Sequence, residues 1–232
     1  SDLKAKAYSP ALMEFDENRS LRRANKMAYQ EYVRYLLAAA ASARFELGAY
    51  QNVSRLGQVL SLEKEIDFKK ADAERDAFVD ALHKRLAEKP LEKMVARMVG
   101  FKQGTVSARD LYAYLVAEAA TVGVDIRAFP ALEKYIRYLS VYEAIDRSRA
   151  GAEVESLEAE LFGALAENDE QRQINAVAGR LETLRDLFGI ALTQAAYEEY
   201  VRDKALYAAD ALVSFVSKAA LRHGTDGSLP VD

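Results

Sequence analysis

Ile174-Asn175-Ala176-Val177-Ala178-Gly179-Arg180-Leu181-Glu182-Thr183-Leu184-Arg185-Asp186-Leu187-Phe188 carries the pattern that decides the fold class. Ile174, Val177, Leu181, Leu184 and Phe188 recur at alternating intervals of three and four, the spacing of one face of an α-helix. The spacing holds for two heptads, too short a run to specify a coiled coil. The stripe predicts a helix with this face turned to a core. On that expectation Leu181→Ala costs roughly 2 to 5 kcal/mol, whereas Arg22→Ala costs little.

The same periodicity extends outward in both directions. Leu157, Leu161 and Leu165 form the stripe of the preceding segment, and Phe78, Leu82 and Leu86 form another. Three of the four prolines, Pro10, Pro90 and Pro130, stand where helical patterns begin. A proline is tolerated there because the N–H it lacks has no intrahelical partner in the first turn. Ser107-x-x-Asp110 and Asn168-x-x-Gln171 resemble capping boxes. Gly48, Gly104, Gly123, Gly151 and Gly224 are read as stops. No alternating strand with a hairpin turn appears.

Together these signals predict helices at 9–18, 20–47, 50–59, 61–89, 90–102, 108–122, 131–149, 153–167, 169–190 and 193–223. The fold class is all-α: a multi-helix bundle of long antiparallel helices with shorter crossing helices. The segments 20–47, 61–89 and 193–223 are each long enough for rods of about 40 Å.

A short pattern occurs three times, as Tyr29-Gln30-Glu31-Tyr32-Val33-Arg34, Leu132-Glu133-Lys134-Tyr135-Ile136-Arg137 and Tyr197-Glu198-Glu199-Tyr200-Val201-Arg202. The first two copies extend through Tyr35-Leu36 and Tyr138-Leu139. The match resumes at Ser61-Leu62-Glu63 against Ser156-Leu157-Glu158. The expectation is an internal duplication of residues about 29–89 and 132–184, with Tyr32 equivalent to Tyr135 and Leu62 to Leu157. Irregular spacing argues against a solenoid of fixed repeats.

A chain of 232 residues is able to bury roughly 70 to 75% of its unfolded surface. One all-helical domain is expected over 9–223, built from one unit or two duplicated ones, with 224–232 as a loose tail or linker. Half the residues are apolar, 29% are charged and the formal net charge is −4. That is the composition of an ordinary globular protein, and nucleic acid is not the expected partner. With no cysteine, disulfides, thiolate catalysis and cysteine-ligated zinc or iron–sulfur sites are ruled out. No run is long enough to span a membrane, and no signal-peptide pattern is read. The chain begins Ser1-Asp2 without methionine, as a matured exported chain, an excised fragment or an engineered start would. The expectation is therefore a soluble protein, cytoplasmic or exported with its signal removed.

Thirteen tyrosines and no tryptophan direct attention to the repeated pattern. Tyrosine joins an apolar ring to a polar tip, so Tyr32, Tyr135 and Tyr200, with Arg34, Arg137 and Arg202 as anchors, are candidates to bind an amphipathic ligand. Helix–helix packing is the plainer account of the same residues. Arg19, Arg22, Arg23 and Lys26 make one basic stripe on a continuous helix, a candidate anion site, against which stands the common case of a solvated, ion-paired face. Asp76, Asp80 and His83 share a narrow face and form the weakest candidate, a divalent-metal site. Its position off the Phe78/Leu82/Leu86 stripe points it to solvent.

Phosphate loops, His-Glu-x-x-His and Gly-x-Ser-x-Gly are absent from the sequence, and Ser61-x-x-Lys64 lacks its companion elements. The leading expectation is a non-enzymatic interaction or scaffold domain, a piece of a longer protein, that binds protein, uses no cofactor and is open to homo-oligomerisation. The alternative is a small-ligand-binding protein with a tyrosine-lined pocket and an arginine anchor. A third reading is a metal-dependent helical hydrolase.

Overall fold

The computed structural model describes residues 2–224, and all regular structure among them is helical. In chain order the α-helices are α1 (Asp2–Ala7), α2 (Pro10–Arg23), α3 (Tyr29–Ser42), α4 (Gln51–Glu65), α5 (Phe68–His83) and α6 (Glu88–Lys102). There follow α7 (Ala108–Thr121), α8 (Pro130–Glu143), α9 (Arg147–Leu165), α10 (Asp169–Phe188), α11 (Gln194–Arg202) and α12 (Ala209–Arg222). Short 3-10 turns lie at Ile126–Ala128 and Lys204–Tyr207. The expected tail falls, beyond Gly224, outside the described residues.

Four starts follow the sequence cues, while those expected at 20, 61, 90 and 153 fall inside α2, α4, α6 and α9. Ser107 and Asn168 cap α7 and α10 by accepting hydrogen bonds from the N–H groups of Asp110 and Gln171, each at 3.0 Å. Pro10 and Pro130 open α2 and α8. Stops follow a device that glycine reading captures only in part. Among the described residues, five helices end with a residue in the left-handed region whose successor donates its N–H to the carbonyl five residues back. The residues are Asn25, Arg44, Gly104, Gly123 and Ile190, with φ of 54, 53, 76, 69 and 55°.

Three of these are not glycine, and one of them, Asn25, explains the first of three main corrections. The rod expected over 20–47 breaks at Asn25 into α2 and α3. The rod over 61–89 is interrupted at Ile66 and Asp67, where Asp67 caps α5 by accepting from the Lys70 N–H at 3.0 Å. The segment 193–223 divides into α11, the 3-10 turn and α12. Gly151 lies inside α9, and Gly48 follows a helix that has already ended at Ser42.

The chain divides into two compact units. One is continuous, residues 29–157; the other joins the N-terminal segment up to Ala28 to the chain from Glu158 onward, and the boundary falls within α9.

In the continuous unit α8 is the hub, packed against α4, α5 and α7. Its core comprises Phe78, Leu82, Met94, Leu111, Tyr112, Leu115 and Leu132 with smaller neighbours. Fully burying each large side chain contributes about 1.5–3 kcal/mol. α3 meets α4 closely at Gly57, where a β-carbon would lie 2.6 Å from Leu37 Cδ1. The proposed first repeat, 29–89, lies wholly in this unit, while 132–184 is divided at Glu158.

In the discontinuous unit, Leu12 and Phe15 of α2 are fully buried, as is Leu161 of α9. Phe162 takes Tyr8 edge-on at a ring separation of 6.2 Å and Phe15 at 6.5 Å. α10 packs against α1, α11 and the Lys204–Tyr207 turn. A polar cluster is buried beside this core. Lys4 donates to both oxygens of Asp16, at 3.0 and 2.8 Å, and Arg19 donates to Asp16 at 2.6 Å. Arg19 also donates to Asn175 and lies over the Phe162 ring at 5.1 Å.

Candidate functional site

The tyrosines of the repeated pattern have packing partners in helix seams. Tyr32 is buried and stacks on Tyr35 at 6.4 Å. Tyr135 is half-buried, edge-on to both Phe68 and Tyr112 and stacked on Tyr138, which stacks in turn on Tyr142. Arg147 ends this ladder by donating to the Tyr142 hydroxyl at 2.9 Å. Burial pushes the Tyr112 and Tyr138 hydroxyls up, which keeps them neutral. Tyr200 meets the ring of Tyr207 edge-on at 5.0 Å.

Of the three arginines, Arg34 is exposed and Arg202 is exposed and paired with Asp203 at 3.2 Å. Arg137 is also exposed, but borders an open groove of about 510 Å³ with Leu37, Ser54, Gly57, Ser61 and Leu62.

The basic stripe is taken apart by the fold. Arg19 is only 7% exposed and bound to Asp16, and Arg23 pairs with Glu182 at 2.7 Å and Glu158 at 3.3 Å. Arg22 is half-buried, and Lys26 is exposed beyond the end of α2, past the left-handed Asn25. A continuous helix through Lys26 was the premise of the stripe, and the break at Asn25 removes it.

Asp76, Asp80 and His83 lie on the exposed side of α5, as their offset from the apolar stripe predicts. Asp76 accepts from Arg75 at 3.0 Å. Among the described residues no group of three or more His, Asp or Glu side chains is placed to hold a metal ion.

Two features of the discontinuous unit stand out. The first is the stripe on α10. Ile174 and Val177 are 4% and 7% exposed, but Leu181 is 48% and Phe188 82% exposed. The expectation that Leu181 is buried is therefore wrong: beyond Val177 the face is only partly covered, with Leu184 half-buried between exposed Leu181 and Phe188. Its continuation into the next segment stays open, with Ile190 at 95% and Tyr197 and Val201 about half exposed. Of the fifteen large hydrophobic residues exposed among the described residues, eight lie between 181 and 221. That concentration separates this segment from the scattered apolar residues of an ordinary surface.

The second is a cleft of about 630 Å³ between α10 and the segment carrying α11 and the Lys204–Tyr207 turn. Small residues form much of the α10 wall, with Ala176, Gly179 and Thr183 at helical spacing, while Leu192, Leu206 and Tyr207 supply apolar surface opposite. Sequence reading missed this site. Its one legible signal was the small-residue face adjoining the apolar stripe, which alone does not distinguish a cleft from close packing.

No protein-family model, curated protein or solved structure matches this chain.

Proposed function

We propose that this protein is a non-enzymatic helical interaction module, and that the second half of α10 is where it receives a helix from another protein. The observation carrying this reading is the change along one stripe, from buried Ile174 and Val177 to exposed Leu181 and Phe188. An amphipathic helix gains stability by covering such a face with another apolar surface. Anchors three, four and seven residues apart are what a partner helix engages in a groove. Arg180, Glu182, Arg185 and Asp186 bracket the stripe with both signs of charge, which would tune the choice and direction of a partner more than the affinity.

The internal repeat is part of the same proposal and rests on the repeated Tyr-β-branched-Arg pattern in α3 and α8; the packing of the two copies differs, since α3 lies against α4 whereas α8 lies against α4, α5 and α7. None of the helices among the described residues is long and apolar enough to cross a membrane.

The test is native mass spectrometry of the tagged chain isolated gently from its own cells, beside a Leu181→Asp/Phe188→Asp variant. The expected result is a stoichiometric protein partner on the parent chain, lost from a variant that keeps its helical content. A bare monomer in both preparations, or a partner held equally by both, would overturn the assignment.

A further inference from the structure

The charges lining the cleft between α10 and α11 do not cancel uniformly. Seven charged side chains border it: Arg23, Arg180, Glu182, Arg185, Asp186, Glu199 and Asp203. Arg23 pairs with Glu182 at 2.7 Å, Arg185 with Asp186 at 3.0 Å, and Asp203 with Arg202 at 3.2 Å. Two remain without an ion-pair partner among the described residues, half-buried Arg180 on the α10 wall and exposed Glu199 on the α11 wall. They do not pair with each other, so a cation and an anion stand apart across one concave space.

From this arrangement we propose that the cleft binds a small zwitterion of the amino-acid or short-peptide type. Its carboxylate is held by Arg180, its ammonium by Glu199 and its apolar side chains by Leu192, Leu206 and Tyr207. The guanidinium presents a planar fork of donors suited to a carboxylate. Glu199 supplies acceptors and no donor, as an ammonium requires. A simple anion would gain from Arg180 but be repelled by Glu199, and a simple cation would meet the reverse. Only a ligand carrying both signs satisfies both walls. The volume falls in the range of small-molecule sites. Gly179 keeps the floor open, because a β-carbon built there meets nothing within 4 Å. The cleft adjoins the Leu181/Phe188 face and shares Arg180, Glu182, Arg185 and Asp186 with its rim, but the inference does not depend on a partner helix docking there.

The test is a titration of leucine, dileucine and trileucine, which step the separation between the terminal charges, followed by amide chemical shifts and calorimetry. The best binder is then compared with its N-acetylated and C-amidated forms. Saturable shifts are expected in 176–186 and 191–207, with each blocked terminus weakening binding about tenfold or more. In Glu199→Gln the penalty for N-acetylation should vanish while that for amidation persists; Arg180→Met should do the converse. Gly179→Leu should fill the cleft and abolish binding without lowering stability, because leucine favours a helix more than glycine does. No saturable binding by any member of the series would overturn the proposal. So would terminus penalties that survive unchanged in the two charge variants.

Discussion

Glu153 of α9 caps a helix that begins about a hundred residues earlier. One carboxylate oxygen accepts from the backbone N–H groups of Asn52 and Val53, at 2.7 and 3.1 Å, and the other from the Asn52 side chain at 2.6 Å. Tyr50, at the N-cap of α4, supplies no side-chain hydrogen bond. Glu74 of α5 does the same for α8, accepting from Ala131 and Leu132 where Phe129 offers no cap. Carboxylates at helix starts also meet the positive end of the helix dipole. Glu153→Ala is therefore expected to destabilise the protein by about 1–3 kcal/mol, read as a lower midpoint in urea unfolding.

Leu157 and Leu181 belong to stripes that look alike in sequence and differ in the fold, at 0% and 48% exposed. Leu157→Ala is expected to cost about 2–5 kcal/mol through lost contacts and the cavity it leaves. Leu181→Ala is expected to cost under about 1 kcal/mol in the isolated chain. Equal losses in thermal or urea unfolding would show that α10 is covered beyond Val177.

Ile190 occupies the left-handed position that closes α10, with Gly189 one residue too early to take it. A β-branched residue at φ 55° is strained by roughly 1–2 kcal/mol. Its side chain, 95% exposed, recovers little by packing. Ile190→Gly should therefore stabilise the chain by about 1 kcal/mol, even after the larger entropy that glycine gives the unfolded state. A lowered melting temperature would contradict this.

Asp16 links stability to acid. Burial alone pushes its carboxyl up, but hydrogen bonds and charge from Lys4 and Arg19 outweigh that and hold it below the usual carboxylate range. A group whose folded pKa is depressed stabilises fully above its unfolded value, near 3.8, and progressively less as pH falls through the folded one. Asp16→Ala should cost about 3 kcal/mol near neutrality, by stranding Lys4 and Arg19. It should also flatten the loss of stability below about pH 4. A variant whose stability falls with acid as steeply as the parent's would assign that fall to other carboxylates.

Helix starts were legible because their chemistry is local: Ser107 and Asn168 reach groups three residues away, and Pro10 and Pro130 need no partner. Several stops were not. Arg44 adopts a conformation that glycine advertises and arginine does not, and Asn25, a weaker signal than glycine, went unread, so the last turn of α2 was joined to α3 in the rod expected over 20–47. Asp67 was a readable cap, hidden inside a segment whose apolar spacing continued across it. At the sites the limit was different. Asp16, which engages Arg19, lies three residues away, but Glu158, Asn175 and Glu182, which complete the pairing of Arg19 and Arg23, lie more than a hundred residues away. The Arg180/Glu199 pair was invisible for the opposite reason: only when every neighbouring charge has found its partner does the residue of that pairing show.

The discontinuous unit has a consequence for how the chain acquires its shape during synthesis. Phe15 and Arg19 leave the ribosome well over a hundred residues before Phe162 and Asn175, against which they are buried, while the intervening 29–157 unit has all its own packing partners by then. The continuous unit is thus free to fold first, as domains generally do when complete, and the N-terminal helices must wait with their apolar face open. Closing so long a loop slows the later step more than it weakens the product. Helix α2 is made before the 29–157 unit and secured after it, and a chaperone acting on this nascent chain would find its target there.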